Sequence, residues 1–351
     1  MLADPSSAAP PLPPLVAALP PAARELVARH LAVLSSWNSH TNLTAEREPA
    51  ELLERHVADS LALLPVIEGC WAQGRAAGAE GGAAGLPDPA PVPASLSPAP
   101  PSAPALRVLD VGSGAGFPGL SLAAARPHWR VTVMDSRAKR TAFLEEAAKA
   151  MRSGGGTGAE EGAEEGTEKE ESTGEEKGTG KGESTVNEKG AGKEESTGEG
   201  ERNEGGRSGL AVARPASGSP PCISLSSPPV LPVRVRVLTA RAEEAGRDPF
   251  LSSSFDVVVA RGVAALGPLA ELSAPLLEVG GILVAPKGPD PGAEIAQAQR
   301  AMRVLGMEFL GVFSVESKGP NGLRTAVVLR KTQETPPEFP RENGDAQRHP
   351  L

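Results

Sequence analysis

The fold class of this chain is decided by the stretch Val108-Leu-Asp-Val-Gly-Ser-Gly-Ala-Gly-Phe-Pro-Gly119. It overlaps a short aliphatic run, Arg107–Val111, that predicts a buried strand, and it leads into an Ala-rich segment that predicts a helix. Gly112, Gly114 and Gly116 fall between the two, where a missing Cβ lets a ligand approach the backbone closely. The stretch therefore predicts a strand, a loop and a helix that together bind a nucleotide-like ligand.

The spacing of the glycines separates two classes of ligand. The dinucleotide fingerprint G-x-G-x-x-G requires its third glycine at the position that Phe117 occupies, so the spacing G-x-G-x-G favours S-adenosylmethionine. Asp135 follows Gly116 by 19 residues, at the end of a second predicted strand, where a carboxylate can accept hydrogen bonds from ribose hydroxyls. Both ligand classes share this acidic residue. An NAD-dependent oxidoreductase remains the alternative, although the chain has no Tyr to serve in its catalytic centre.

Further aliphatic runs alternate with helical sequence along the chain. Amphipathic spacing predicts helices over Ala22–Asn38, from Pro49 to Pro65, and from Lys139 to about Met151. The alternation predicts an α/β fold whose mainly parallel sheet carries helices on both faces and follows N-terminal helices. Together with the glycine spacing that favours S-adenosylmethionine, this corresponds to a Rossmann-like class I S-adenosylmethionine-dependent methyltransferase. The strands predicted after the first are Arg130–Met134, Val233–Leu238, Phe255–Ala260, Gly281–Ala285 and Thr325–Leu329.

Composition divides the chain into parts expected to fold and parts of low complexity. We expect a disordered Pro/Ala-rich leader at 1–21, a flexible Ala/Gly/Pro-rich insertion at 72–105 and a disordered insertion at 152–232. The expected folded parts are residues 22–151, with the N-terminal helices and the first half of the methyltransferase domain, residues 233–331, with its second half, and a C-terminal tail at 332–351.

The net charge of −9 comes from one segment. Residues 153–207 hold 16 Glu and no Asp against 7 Lys and Arg, which is also a net charge of −9. The remaining sequence is close to neutral, so the acidic average does not exclude a nucleic-acid partner.

Cysteine content and hydropathy exclude several classes of protein. Cys70 and Cys222 lie far apart in the sequence and predict neither a disulfide framework nor a metal site. No apolar run approaches the roughly 20 residues that span a bilayer, and no membrane partner is expected. The expected compartment is the cytoplasm for a bacterial protein, or the chloroplast stroma for an algal or plant one.

Several short segments outside the glycine stretch carry a more specific signal. Together, and in their order along the chain, they resemble the RsmG/GidB family. That family methylates guanine N7 in small-subunit (16S) ribosomal RNA, and the likeness covers roughly Ala22–Met151 and Val233–Leu351. The segments are Trp37-Asn38, Asn42-Leu-Thr-Ala45, Arg55-His-Val-Ala-Asp-Ser-Leu61, Asp135-Ser-Arg-Ala-Lys-Arg-Thr-Ala-Phe-Leu144, Arg241-Ala-Glu-Glu244, Ala260-Arg-Gly-Val-Ala-Ala265, Lys287-Gly288, Leu323-Arg324 and Thr335-Pro-Pro-Glu-Phe-Pro-Arg341.

The resemblance implies roles for particular residues. It suggests Asn42 and His56 as candidate catalytic residues near the cofactor, although a hydrogen-bonded helix histidine is the simpler interpretation of His56. Cofactor contacts are implied for Gly112, Phe117, Ala242, Glu243 and Arg261, in addition to Gly114, Gly116 and Asp135. RNA contacts are expected from Arg241, Lys287 and Arg324.

Lys139 and Arg140 follow Asp135 closely in the sequence. They are expected either to contact RNA phosphates or to form an ordinary solvated start of a helix.

Guanine N7 has a free lone pair and no proton to remove, so the expected reaction requires positioning of the reactants more than a catalytic base. The expected partner is small-subunit ribosomal RNA or the assembling small subunit, and the expected oligomeric state is a monomer. Two alternatives stay open: a non-catalytic RNA-binding ribosome-assembly factor, and a methyltransferase that acts on another substrate.

Overall fold

The computed structural model describes residues 11–80, 105–153, 233–319 and 322–351, without side chains at 75–80 and 316–323. Within these ranges, seven strands form one sheet in the order β3-β2-β1-β4-β5-β7-β6. The strands are β1 Arg107–Val111, β2 Arg130–Asp135, β3 Arg234–Thr239, β4 Phe255–Val259, β5 Leu277–Lys287, β6 Met307–Gly319 and β7 Gly322–Lys331.

The first five strands are parallel, and β7 pairs antiparallel with both β5 and β6. The predicted α/β class and the mainly parallel sheet are thus confirmed. The order along the sheet reverses between β1 and β4, which is where open α/β sheets bind ligands at the carboxyl ends of their strands. The second half of β4, Val257–Val259, is buried completely because helices cover the sheet on both sides.

Helices pack on both faces of this sheet, as predicted. One face is covered by the N-terminal helices, α6 and α7, and the other by α8, α9, α10 and the C-terminal residues. The helices are α1 Pro14–Ala17, α2 Pro21–Asn38, α3 Pro49–Leu52, α4 Asp59–Leu61, α5 Leu64–Glu80, α6 Gly119–Ala125, α7 Ala138–Arg152, α8 Ala242–Arg247, α9 Leu266–Ser273, α10 Gly292–Val304 and α11 Asp345–Arg348, with a π-helical segment, Leu53–Ala58, between α3 and α4.

Three expectations about the N-terminal third of the chain were wrong. The supposed leader contains α1, and Val16 and Leu19 are buried in the core. Pro65 does not close the second helix but lies in the first turn of α5, where proline is tolerated because no partner for its missing N–H is needed. Residues 72–80, expected to be flexible, continue α5. The rest of that insertion, residues 81–104, and residues 154–232 lie outside the described part of the chain.

The strand β6 was not predicted. Its pairing with β7 shifts register between Phe309 and Gly311 and again between Val315 and Lys318. Each shift moves the following side chains out of the simple alternation by which a strand is recognised in a sequence.

No helix within the described ranges is long and apolar enough to cross a bilayer. The same residues contain no group of three or more His, Cys, Asp or Glu side chains that could hold a metal ion.

Candidate active site

The glycine loop after β1 adopts a backbone that few other residues tolerate. Gly116 has a φ of 87°, and a Cβ added there would lie 2.6 Å from Leu120 Cδ1 and 2.9 Å from His30 Nε2. Gly112 has a φ of 69°, and its Cβ would lie 2.8 Å from Val263 Cγ2. Both positions require glycine for conformation and for space.

Asp110 holds the two ends of this loop together. Its fully buried carboxylate accepts hydrogen bonds from Ser113 Oγ at 2.6 Å and from the backbone N–H of Gly119 at 2.8 Å. Burial raises the pKa of Asp110 to about 6, and the two hydrogen bonds oppose that rise. The loop and the start of α6 therefore share one buried anchor.

Asp135 ends β2 beside the loop and is 3% exposed. Its Oδ2 accepts hydrogen bonds from the backbone N–H of Gly114 at 3.2 Å and from the Arg140 guanidinium at 3.1 Å. Its Oδ1 accepts one from the backbone N–H of Arg137 at 3.0 Å. The carboxylate thus has three donors and about one remaining lone-pair position.

A cavity of about 140 Å³ opens between the glycine loop and the end of β2. We call it the glycine-loop cavity. The C-terminal tail forms one wall of it, because the backbone N–H of Gly344 donates to Glu243 Oε1 at 2.8 Å. Its lining comprises Val111, Gly112, Met134, Asp135, Ser136, Ala240, Arg241, Ala242, Glu243, Val263, Leu272, Gly344 and Gln347.

His56 lies on the other side of the loop, in the π-helical segment. Arg261 has only donors, so its Nη2, at 2.6 Å, donates to His56 Nδ1, and the His56 proton on Nε2 is donated to Glu46 Oε2 at 2.9 Å. Burial, and then the charge of Arg261, lower the pKa of His56 below its ordinary value. The ring is therefore neutral at pH 7 and uses both nitrogens within the protein.

Phe117 connects this histidine to the N-terminal helices. Its ring stacks on His56 with centroids 4.9 Å apart and an interplanar angle of 18°, and it packs against His30 at the same centroid distance. His30 Nε2 lies 2.8 Å from the carbonyl oxygen of Ala115. Because a carbonyl oxygen can only accept a hydrogen bond, Nε2 carries a proton and donates it. Helix α2 is thus attached directly to the glycine loop.

Comparison with known proteins places the chain in a family. The GidB family, described as rRNA small subunit methyltransferase G, matches residues 23–87, 94–173 and 230–321, which is more than half of the sequence. This chain belongs to the GidB family.

Curated relatives carry the same description. The proteins named Ribosomal RNA small subunit methyltransferase G from Symbiobacterium thermophilum and Roseiflexus sp. (strain RS-1) are 28% and 30% identical over 331 and 328 residues. These alignments cover 94% and 93% of this chain and 91% of each relative. The protein of that name from Deinococcus radiodurans is 27% identical over 329 residues, which is 93% of this chain and 85% of the relative. The likeness to GidB proteins thus extends over nearly the whole chain.

The residues suggested for cofactor binding in this GidB protein divide into two groups. Gly112, Asp135, Ala242 and Glu243 line the glycine-loop cavity, and Gly114 donates to Asp135. The other group lies outside the cavity lining and contacts the N-terminal helices; it consists of Gly116, Phe117 and Arg261.

Three of the residues suggested for RNA contact are engaged with carboxylates inside the protein. Arg140 pairs with Asp135 at 3.1 Å. Lys287 pairs with Glu294 at 2.6 Å and also donates to the carbonyl oxygen of Ala264.

Arg324 pairs with Asp59, which is buried, at 3.0 Å. In contrast, Arg241 and Lys139 are exposed. Asn42 is exposed too, and its Oδ1 accepts a hydrogen bond from Arg47 at 3.0 Å. The exposed side chains are the ones free to reach an RNA.

The sequence analysis assigned no role to the residues that support the site of this GidB chain, although Asn38 belongs to one of the quoted segments. Asn38 Oδ1 accepts from the backbone N–H groups of Leu43 and Thr44, and its Nδ2 donates to the carbonyl oxygen of Glu46, so one buried amide shapes the loop that presents Glu46 to His56. His30 was also missed, although its position four residues after Leu26 on the apolar stripe of α2 marks it as buried. No local pattern marks Glu46.

Proposed function

We propose that this protein transfers a methyl group from S-adenosylmethionine to N7 of a guanosine in small-subunit ribosomal RNA. The observation that carries the proposal is the glycine-loop cavity in a GidB-family chain, where Gly112, Asp135 and Glu243 converge at the carboxyl ends of three parallel strands. The protein acts as a monomer on ribosomal RNA or on the assembling small subunit. Its compartment is one that holds bacterial-type ribosomes, the bacterial cytoplasm or the chloroplast stroma.

The residues around the cavity have the chemistry that S-adenosylmethionine requires. Asp135 and Glu243 supply carboxylates for ribose hydroxyls and for amino donors, and the second oxygen of Glu243 has no hydrogen-bond partner among the described residues. Outside the cavity lining, on the His56 side of the glycine loop, Arg261 Nη1 is buried and has no hydrogen-bond partner among the described residues, so it remains available as a donor. For both ribose hydroxyls to bind Asp135, Arg140 has to release it, because the carboxylate already accepts three hydrogen bonds.

S-adenosylmethionine supplies a methyl group on a positively charged sulfur. The protein contributes position and exclusion of water, since N7 of guanine attacks with its lone pair and gives up no proton. His56 is not a base in this scheme, because both of its ring nitrogens are engaged with Glu46 and Arg261. It fixes Phe117 and Arg261 beside the glycine loop.

Exposed cations at the carboxyl edge of the sheet provide contacts for the RNA. Arg241 is the N-cap residue of α8 and lines the cavity together with Asp135, and Lys139 lies in the first turn of α7, which follows Asp135 in the chain. Phosphate contacts by these two side chains hold an unpaired guanosine at the cavity, because a base within a duplex cannot be aligned with a buried methyl group.

Transfer of labelled methyl from S-adenosylmethionine to deproteinised 16S rRNA tests the proposal. The wild-type protein is compared with Asp135→Asn, which preserves shape and removes the charge. We expect 7-methylguanosine as the product of the wild type, and a cofactor affinity lower by roughly ten- to a hundredfold in the variant, because hydrogen bonds to charged groups contribute about 1.5–3 kcal/mol.

The matched control is Asp290→Asn, at an exposed aspartate before α10 that accepts only the N–H of Gly292 among the described residues. We expect this variant to transfer methyl groups at the wild-type rate. Label in another nucleoside contradicts the N7 assignment. Cofactor binding without any labelled RNA favours an assembly factor or another substrate, and absence of cofactor binding overturns the proposal.

A further inference from the structure

A row of arginines crosses the sheet at the amino ends of three neighbouring strands. Arg107 on β1 is in register with Arg130 on β2, and Arg130 is in register with Arg234 on β3. In-register residues of a sheet point to the same face, and neighbouring strands lie about 4.8 Å apart. Arg236 follows Arg234 on that face of β3, about 7 Å further along the strand.

Most of this positive charge has no ion-pair partner among the residues that the structure describes. Arg107 is neutralised by Asp256, at 2.7 Å, and by Glu278. In contrast, Arg130, Arg234 and Arg236 form no ion pair with any residue that the structure describes, and all three are exposed. Like charges directly across from each other destabilise a sheet. An arrangement that keeps them adjacent is therefore suited to a negatively charged ligand.

These side chains line a cleft of about 520 Å³, which we call the arginine cleft. Its floor is the start of β2 and β3, and its wall is the segment between α8 and β4, with Phe250 and Leu251. Phe250 is 88% exposed, although aromatic residues are normally buried for the most part. None of the described residues that line the cleft is acidic.

We propose that the arginine cleft binds a single-stranded segment of RNA, with the arginines on its phosphates and Phe250 stacked on a base. Cationic grooves with an exposed aromatic platform are the arrangement by which proteins bind single strands without reading sequence. Planar guanidinium groups suit phosphate, and a base offers the flat face that Phe250 requires.

The cleft is separate from the site of methyl transfer. The arginines lie at the amino ends of the strands and the glycine-loop cavity at their carboxyl ends, a distance of roughly 20 Å along six residues of extended chain. The inference rests on the proposed function insofar as the RNA bound in the cleft is the methylated one. The cleft is then a second anchor for the same RNA, distant from the reacting guanosine.

Binding of a fluorescent 12-nucleotide oligouridylate to the full chain tests the inference, measured by anisotropy over a range of salt concentrations. The double variant Arg130→Gln/Arg234→Gln is compared with Arg300→Gln/Arg303→Gln, which removes the same charge from exposed positions on α10. For two lost phosphate contacts we expect the slope of log affinity against log salt to fall by about 1.4 in the cleft variant and to stay unchanged in the α10 control.

Phe250→Ala provides an independent readout. Loss of one stacked base weakens binding roughly tenfold and leaves the salt slope unchanged. Equal slopes in both double variants, or an undiminished affinity of Phe250→Ala, overturn the inference. If polyglutamate displaces the RNA and binds the wild-type protein more tightly than the RNA does, the cleft serves an acidic polypeptide and the inference is likewise wrong.

The same variants separate this inference from the proposed function. Methyl transfer to 16S rRNA by the cleft variants is expected to show a raised KM for RNA. If the wild type transfers no methyl group, the proposed function fails, while the oligouridylate measurements still decide whether the cleft binds RNA.

Discussion

His30 joins the N-terminal helices to the glycine loop through its bond to the carbonyl oxygen of Ala115. Burial lowers the pKa of His30 from an ordinary 6.5 to about 4. A group with a depressed pKa in the folded state stabilises the fold above its unfolded pKa, and this stability is lost as the pH falls toward the folded value. We therefore expect the depressed pKa of His30 to lower the unfolding free energy by about 2 kcal/mol as the pH falls from 7 to 5.

The comparison with His30→Gln isolates this effect, because glutamine can donate to Ala115 but does not titrate in this range. Asp110 acts in the opposite direction, since its raised pKa of about 6 adds stability as the pH falls, but it does so in both proteins. Urea unfolding at pH 7 and pH 5 gives the change in unfolding free energy with pH for the wild type and for the variant. Parallel pH profiles for wild type and variant contradict the assignment.

Gly116 offers a second prediction about a single residue. With a φ of 87° and two neighbours closer than 3 Å to an added Cβ, Gly116→Ala is expected to lower the unfolding free energy by about 2 kcal/mol and to weaken cofactor binding. Gly69→Ala is the control, because Gly69 lies in α5 with nothing near its Cβ, and alanine there stabilises by up to about 1 kcal/mol. A variant at Gly116 as stable as the wild type would show that the loop relaxes at no cost.

The glycine loop and the position of Asp135 beside it were predictable from the sequence because the strand, the loop and the acidic residue are close along the chain. The partners of the basic residues were not. Arg324 pairs with Asp59, which lies far away in the sequence, and no spacing rule connects the two. A lone basic residue in a sequence therefore shows a charge but not whether that charge is already neutralised.

The C-terminal tail is an element with little regular structure, and its attachment depends on an ion pair. Arg341 binds Glu271, whose side chain is 1% exposed, through two guanidinium nitrogens at 2.8 and 2.6 Å. Arg341→Met leaves that carboxylate without its cation, and we expect a loss of about 3 kcal/mol of unfolding free energy. Cofactor affinity is expected to fall as well, because Gly344 and Gln347 form a wall of the glycine-loop cavity.

Arg348→Met is the matched control in the same tail. Arg348 pairs with Asp345 at 2.8 Å, but its side chain is 64% exposed, so its removal is expected to cost less than about 1 kcal/mol. Thermal or urea unfolding of the two variants gives the comparison. Equal losses would mean that the burial of Glu271 does not decide the strength of the attachment.

Elements were predictable where a single period holds throughout. The strands from β1 to β5 and the helices α2 and α7 follow such patterns, and their types were predicted correctly. The stretch Leu53–Ala58 was predicted as ordinary α-helix, because the apolar spacing of its residues is also compatible with a π-helical turn. That turn carries both Arg55 and His56, so the departure from regularity occurs where the candidate site is built.

At the scale of the whole molecule, the acidic segment 153–207 sets the net charge. Changing its 16 Glu to Gln preserves the length of the chain and converts the net charge from −9 to +7. We expect tighter binding of RNA at low salt and a difference that disappears at high salt, because exposed charges are screened beyond about 10 Å at 0.1 M.

The rate of methyl transfer at saturating RNA is expected to stay at the wild-type value. An equal-length Gly/Ser replacement of the segment serves as the control and should behave in the same way. A large loss of transfer in either variant would show that the segment does more than contribute charge.

The walls of the glycine-loop cavity come from widely separated parts of the chain, with Gly112 in its first third and Gly344 in its C-terminal tail. A polypeptide is synthesised from its amino end, so a nascent chain in which β1 to β7 have already paired still lacks the wall that Gly344 and Gln347 provide. If the cavity holds the cofactor as proposed, we expect the growing chain to pair its strands before it can retain a cofactor.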